Sequence, residues 1–203
     1  MKSNRIILVL LSFFITNYAF SQIFSTTAKY KTIVDADTLY YFSNWSDVKI
    51  KAKAQDSQAT IEWYSFDSDN LTFSTLLKKT EAQTDDFTTE TSNGYLCKIT
   101  NNDIVTEYRF WIDVPTIDTV SFSIDTVSCD AMEVTANVKA NPTKVFQISD
   151  KSWVNVEQKL VYNWYISDTL QLTLGNKQAT LESPMDDTEL KLVVQNQVGN
   201  NAI

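Results

Sequence analysis

The chain has 203 residues, with 17 Lys+Arg against 25 Asp+Glu, no His, two Cys and three Gly. Without His there is no Ser-His-Asp triad, no Cys-His pair, no HExxH zinc site and no histidine general base. Glycines as far apart as Gly94, Gly175 and Gly199 form neither a GxGxxG fingerprint nor a phosphate-cradling loop, and Cys97 and Cys129 are too distant for a CxxC pair and too few for a four-thiolate zinc site.

The first element is a targeting signal. Lys2 and Arg5 precede an apolar run from Ile6 to Ile15 broken only by Ser12, and Ala19-Phe20-Ser21 supplies the small residues of a cleavage site. This predicts a signal peptide over 1–21. A run of ten residues at about 1.5 Å each falls short of about 30 Å of hydrocarbon, so membrane insertion is not expected. No Cys follows the run to carry a lipid anchor. The product is expected to be secreted or held at the cell surface. Cleavage removes two basic residues and no acidic one, taking the net charge from −8 to −10. That sign argues against nucleic acid and anionic lipid as partners.

Past Gln22 the chain is rich in Thr, Ser, Val, Ile, Tyr and Phe in short alternating segments, which predicts an all-β fold. Val48–Ala54 and Glu133–Val138 place apolar residues at every second position, as half-buried strands do. The order of parts occurs twice. Ile61-Glu-Trp63-Tyr64 returns as Tyr162-Asn-Trp164-Tyr165; each is followed by an acidic turn, Asp67–Asn70 or Ser167–Thr169, and then by a second hairpin strand, Leu71–Leu77 or Leu170–Leu174. Tyr95–Asn101 likewise aligns with Leu190–Asn196. Pro115-Thr116, after a last strand over Tyr108–Val114, is the predicted boundary, because Pro cannot donate to a central ladder. Two sandwiches are therefore expected, 22–114 and 115–203, with Trp63, Tyr95, Cys97 and Trp164 in their cores.

Candidate chemistry is sparse. Ser46-x-x-Lys49 has the spacing of a Ser-Lys nucleophile but enters a strand instead of a helix, and is read as accidental. Asp67 with Asp69, Asp85-Asp86 and Asp186-Asp187 are oxygen donors of the kind Ca²⁺ takes. The first of these has Thr72 and Lys78 where an EF-hand loop needs Gly and Glu, so solvated turn carboxylates are the reading. No metal, cofactor or catalytic residue is expected, and a glycosidase carboxylate pair is disfavoured in domains this small. Tyr40, Tyr41, Trp45, Trp111 and Trp153 are the aromatics without an obvious core place, the three tryptophans being the candidate ligand-binding ones. Packing between the domains is the first assignment, Trp111 above all, and the alternative is a ligand-binding face that stacks on sugar rings, as in a carbohydrate-binding module.

The Trp63 strand followed by Gly94-Tyr95-Leu96-Cys97-Lys98-Ile99-Thr100-Asn101 resembles the immunoglobulin-like sandwich, in which that Trp packs beside a Tyr-x-Cys segment. The second unit, with Thr188–Gly199, is similar to the PKD-like modules of secreted Bacteroidota proteins. The resemblance implies a non-catalytic spacer or adhesion unit of a larger exported protein. It also implies O-glycosylation at the Asp-Thr-apolar sites Thr38, Thr119, Thr126 and Thr169. The inter-sheet disulfide of that fold has no partner here, because Val48, Ile50 and Ala52 stand on the strand that would carry it. Cys97 is then a buried hydrophobe or a partner of Cys129. Only seven residues follow Asn196, so the second unit is expected to lack its last strand. Either the chain continues in a longer protein, or a donated β-strand from a partner completes the sheet.

Overall fold

The computed structural model describes residues 25–128, 131–174, 176–182 and 189–203, so the segment 1–21 expected to be a signal peptide, Cys129 and Asp186-Asp187 lie outside the described residues. The elements are almost wholly β, as the alternating segments require. The first unit holds β1 (Ser25–Thr26), β2 (Tyr30–Val34), β3 (Asp37–Tyr41), a 3-10 turn over Trp45–Asp47, β4 (Ile50–Lys53), β5 (Thr60–Asp67), β6 (Thr72–Glu81), β7 (Thr84–Phe87), β8 (Asn93–Asn101) and β9 (Ile104–Asp113). The second holds β10 (Ile117–Ser128), β11 (Ala131–Ala140), β12 (Thr143–Gln147), β13 (Ser152–Val156), β14 (Leu160–Ile166), β15 (Thr169–Leu174), β16 (Gln178–Glu182), β17 (Leu190–Asn196) and β18 (Asn201–Ala202).

In the first unit a sheet ordered β1-β4-β7 faces one ordered β2-β3-β9-β8-β5-β6. All pairs are antiparallel except β3 with β9, which run parallel from Thr38↔Phe110 to Tyr41↔Asp113. β4 shows how the sequence builds this: Ile50 and Ala52 are buried while Lys51 and Lys53 are exposed, so one face packs and the other is wet. Trp63, Phe87, Tyr95, Cys97, Ile99 and Phe110 fill the space between the sheets. Trp63 stacks on Phe87 at 4.9 Å.

The second unit repeats the plan with β10-β11-β16 against β15-β14-β17-β18. Its core is Trp164, Tyr162, Val134, Leu192 and Val194 with Ala136, Ala179 and Leu181. No sheet contains strands of both units, and 114–116 connect β9 to β10. The chain is thus two immunoglobulin- or fibronectin III-like sandwiches in tandem. At the end of the second, only a two-residue piece of a closing strand is present. Asn196 Nδ2 bonds Pro115 O, the Asn196 side chain accepts from the Val198 and Asn200 amides, and Gly199 takes a positive φ of 88°, so the chain reverses and starts a closing strand: β18 pairs with β17 at Val194↔Ala202 and Gln195↔Asn201.

Candidate functional site

The most developed surface feature lies where the two sandwiches meet. Phe110 and Ile112 point into the first core, so Trp111 between them points to the outer face of the six-stranded sheet. Leu39, Tyr41 and Phe66 share that outer face, which an isolated sandwich would leave wet. Here it is dry. β12 and β13, a hairpin inserted in the second unit before its Trp strand, lay Val145 and Phe146 against these residues, and the six are all but inaccessible to solvent. Val198, from the turn before β18, joins the edge of the cluster.

The contacts are aromatic and specific. Phe66 meets Phe146 at 5.2 Å and Trp111 at 5.3 Å, and Trp153 stands edge-on to Phe66, Trp111 and Phe146 at 5.8, 5.9 and 5.4 Å. These are the offset and edge-to-face geometries that the ring quadrupole favours. Polar ties border the cluster: Asn200 Nδ2 donates to Ser43 O at 2.9 Å, Gln158 Nε2 donates to Thr116 O at 2.8 Å, Thr143 Oγ1 donates to the Asp113 carboxylate, and the Lys159 ammonium sits 5.1 Å from the Tyr30 ring centre. Gly94 is explained here too. A Cβ at that position would lie 2.9 Å from Trp111 Cζ2, so only glycine lets the indole lie on β8.

This disposes the three unassigned tryptophans. Trp111 is 2% exposed and presents no sugar-stacking face, because the neighbouring hairpin covers it. Trp45 is half-buried against the first core. Trp153 is 46% exposed but lies at 75° to Trp111, so the two form no coplanar platform. A cleft of about 500 Å³ opens beside them, lined by Trp153, Trp111, Asn93, Asn141, Asp113 and Lys144 among others.

The remaining sites are placed as follows. Trp63, Tyr95, Cys97 and Trp164 are buried in the two cores. Burial, and secondarily the Asp85 charge, raises the Cys97 thiol far above the ordinary range, and Cys97 is free of any disulfide. Thr38 is half-buried and paired on both sides with β2 and β9. Thr119 and Thr169 are exposed, and Thr126 lies on β10.

Among the described residues, Asp67 and the Asp85-Asp86 pair have structural partners. Asp67 accepts from the Asp69 and Asn70 amides and from Asn70 Nδ2, bonds that hold its carboxyl below the usual range, the Asn70 side chain contributing most. Asp86 pairs with Lys49 at 3.0 Å. Asp85 is buried, accepts from Trp63 Nε1 at 2.7 Å and pairs with Lys78 at 2.6 Å. It ties β5 of one sheet to β7 of the other, a role its place in an acidic doublet did not suggest. Among the described residues no three of Cys, Asp or Glu cluster as metal ligands would.

No family model matches the chain, and no curated protein is similar to it. Solved structures are similar in fold. The fibronectin(III)-like modules of CbhA from Clostridium thermocellum are 10% identical, with a TM-score of 0.41 over 89% of this chain and 90% of that one. A multidomain segment of titin is 12% identical, with a TM-score of 0.47 over 79% and 56%. Three N-terminal domains of the Highly Immunogenic Outer Capsid protein of bacteriophage RB49 are 16% identical, with a TM-score of 0.37 over 76% and 52%.

Proposed function

We propose that the chain is a non-catalytic exported module in which two sandwiches, held as one rigid body, act as a spacer or adhesion unit of a larger secreted or surface protein. The observation that carries this reading is the apolar interface of Leu39, Tyr41, Phe66, Trp111, Val145 and Phe146. A flexible tandem would leave the linker at 114–116 as its only joint and keep those faces polar. Burying two large rings and a tryptophan from opposite units instead fixes the angle between them, which suits a part that must hold something at a set distance. Export is supported by the basic-apolar-small order of residues 1–21.

The sugar-binding alternative has weaker support, since its tryptophans are covered or mutually perpendicular. Small-angle scattering of the chain from Gln22 to Ile203 tests the rigid reading. A single curve fitted by one arrangement of the two units, unchanged on dilution and insensitive to added polysaccharide, is the expected result. A curve that only a spread of interdomain angles can fit would refute it.

A further inference from the structure

Of the three glycines only Gly94 follows an asparagine, and Asn-Gly is the dipeptide in which a side-chain amide is chemically least secure. Glycine has no Cβ to keep its backbone nitrogen away from the carbonyl carbon of the preceding side chain. Here the glycine is fixed by packing, since a Cβ at position 94 would lie 2.9 Å from Trp111 Cζ2. The indole that joins the two units therefore brings a labile pair with it.

Asn93 links two strands where it stands. β5 and β8 pair as far as Ser65↔Tyr95. Beyond that point the Asn93 side chain bridges them: Nδ2 donates to Phe66 O at 3.1 Å, and Oδ1 accepts from the Gly94 amide at 2.8 Å. These partners fix which end of the amide is which, because a carbonyl needs a donor and an N–H an acceptor. Phe66 is the ring of the first unit that meets both Phe146 and Trp153 of the second. The Asn93 amide thus ties the backbone of a central interface residue to β8.

We propose that Asn93 is a self-modification site whose conversion to aspartate or isoaspartate undocks the two sandwiches. Gly94 N attacks Asn93 Cγ; a Cγ–N bond forms, the Cγ–Nδ2 bond breaks, and Nδ2 leaves as ammonia with the proton that Gly94 N gives up. Water then opens the cyclic imide at either carbonyl, giving aspartate, or isoaspartate with the backbone rerouted through Cγ. Asn93 is half-buried and lines the cleft beside Trp153, so water reaches it. Conversion removes the donor. A carboxylate only accepts, so an oxygen then faces Phe66 O, and a new negative charge joins Asp113 in a cleft whose lining has one base, Lys144. In isoaspartate the lengthened backbone also disturbs the β8–β9 register, which begins at Asn93↔Ile112. The folded chain slows the first step: the pairing with Ile112 and the two side-chain bonds turn Oδ1, not Cγ, toward Gly94 N, so attack waits for that end of β8 to open. This inference rests on the docked interface of the rigid-spacer reading and names a route by which the docking is lost.

The test is incubation of the chain from Gln22 to Ile203 in warm, mildly alkaline buffer, with peptide mapping at Asn93, scattering, and limited proteolysis near 114–116. Aspartate and isoaspartate should accumulate at Asn93 about tenfold or more slowly than in the urea-denatured chain, and cleavage near 114–116 should rise in step with them. Asn93→Asp should start with its ratio of docked to undocked molecules lowered about tenfold or more. Asn102→Asp, the same change at the exposed β8–β9 turn, should leave that ratio where it was. An Asn93 still intact after about a hundred denatured-state half-times overturns the site. A rigid parent whose scattering and cleavage stay unchanged on conversion, or in Asn93→Asp, overturns the release and leaves the rigid-spacer reading standing. A parent whose scattering needs a spread of angles before any incubation refutes that reading, and this inference with it.

Discussion

Replacing Phe146 by Ala would separate the interface from the cores it joins. Phe146 is buried, yet it belongs to neither sandwich's own core; its ring contacts are Phe66 at 5.2 Å and Trp153 at 5.4 Å, with Val145 beside it in the same cluster. Truncating a buried Phe costs about 3–5 kcal/mol, of which each lost aromatic pair accounts for about 0.5–1.5 kcal/mol. Because the loss falls on docking and not on either core, it should lower the ratio of docked to undocked molecules by roughly two to three and a half powers of ten. The parent should unfold calorimetrically in one coupled transition and resist cleavage near 114–116. Phe146→Ala should give two transitions, faster cleavage there and a broadened scattering profile. Leu76→Ala, at a half-exposed position on edge strand β6, should move stability by less than about 0.5 kcal/mol. If Phe146→Ala keeps one transition and the parent's scattering curve, the cluster does not set the geometry and the rigid-spacer argument fails.

Three further outcomes follow from the same contacts. Gly94→Ala forces a Cβ to within 2.9 Å of a buried indole, so it should cost about 1–3 kcal/mol and shift Trp111 fluorescence; a neutral result would mean that the ring is free to slide. Cys97, buried and with its thiol pushed far up, should be inert to a thiol reagent in the folded Cys129→Ser protein and react only at the rate of unfolding, so reaction at the rate of a free thiol would contradict its placement. Asp67 has a folded pKa below the unfolded value of 3.8, so its contribution is present above that value and is lost as pH falls through the folded one. The difference in unfolding free energy between the parent and Asp67→Ala should therefore shrink between about pH 5 and about pH 2 in denaturant titrations, and a difference that grows on acidification would reverse the sign.

The sandwiches were legible because their signals are local. Ile50 and Ala52 alternate with lysines on β4, and Trp63 and Trp164 begin identical sequences of strand, acidic turn and strand. The interface was less so. Trp111 could be assigned to interdomain packing from its nearness to Pro115, but its partners Val145 and Phe146 are distant in sequence and lie on a hairpin that neither immunoglobulin-like motif predicts. The clue available was the pair of alternating runs Thr143–Gln147 and Ser152–Val156 around Asp150-Lys151, which reads as a hairpin but not as one that docks on another domain. Asp85 was illegible for a similar reason: Asp85-Asp86 reads as a solvated doublet, and only the β4–β7 register, which sets Asp85 opposite Ala52, turns one carboxylate inward.

That carboxylate bears on how the first unit holds together without a disulfide. In the immunoglobulin pattern a covalent bridge joins the two sheets next to the core Trp. Here the strand that would supply one Cys has Ile50 and Ala52, and Cys97 is free. The inter-sheet tie is instead the Trp63 Nε1 bond to Asp85, steadied by Lys78. A hydrogen bond to a charged acceptor contributes about 1.5–3 kcal/mol, and deleting the acceptor leaves a fully buried indole N–H facing Ala. Asp85→Ala should therefore cost about 2–3 kcal/mol, and Asp85→Asn, which keeps an acceptor oxygen, measurably less. A double-mutant cycle with Trp63→Phe should return a coupling of about 1.5–3 kcal/mol. Reductant should leave the unfolding transition of the first unit where it was. A coupling near zero, or a transition that falls on reduction, would show that something other than this tie spans the sheets. A clamp of this kind forms without any oxidant, so the first sandwich can reach full stability in a reducing compartment as readily as in an oxidising one.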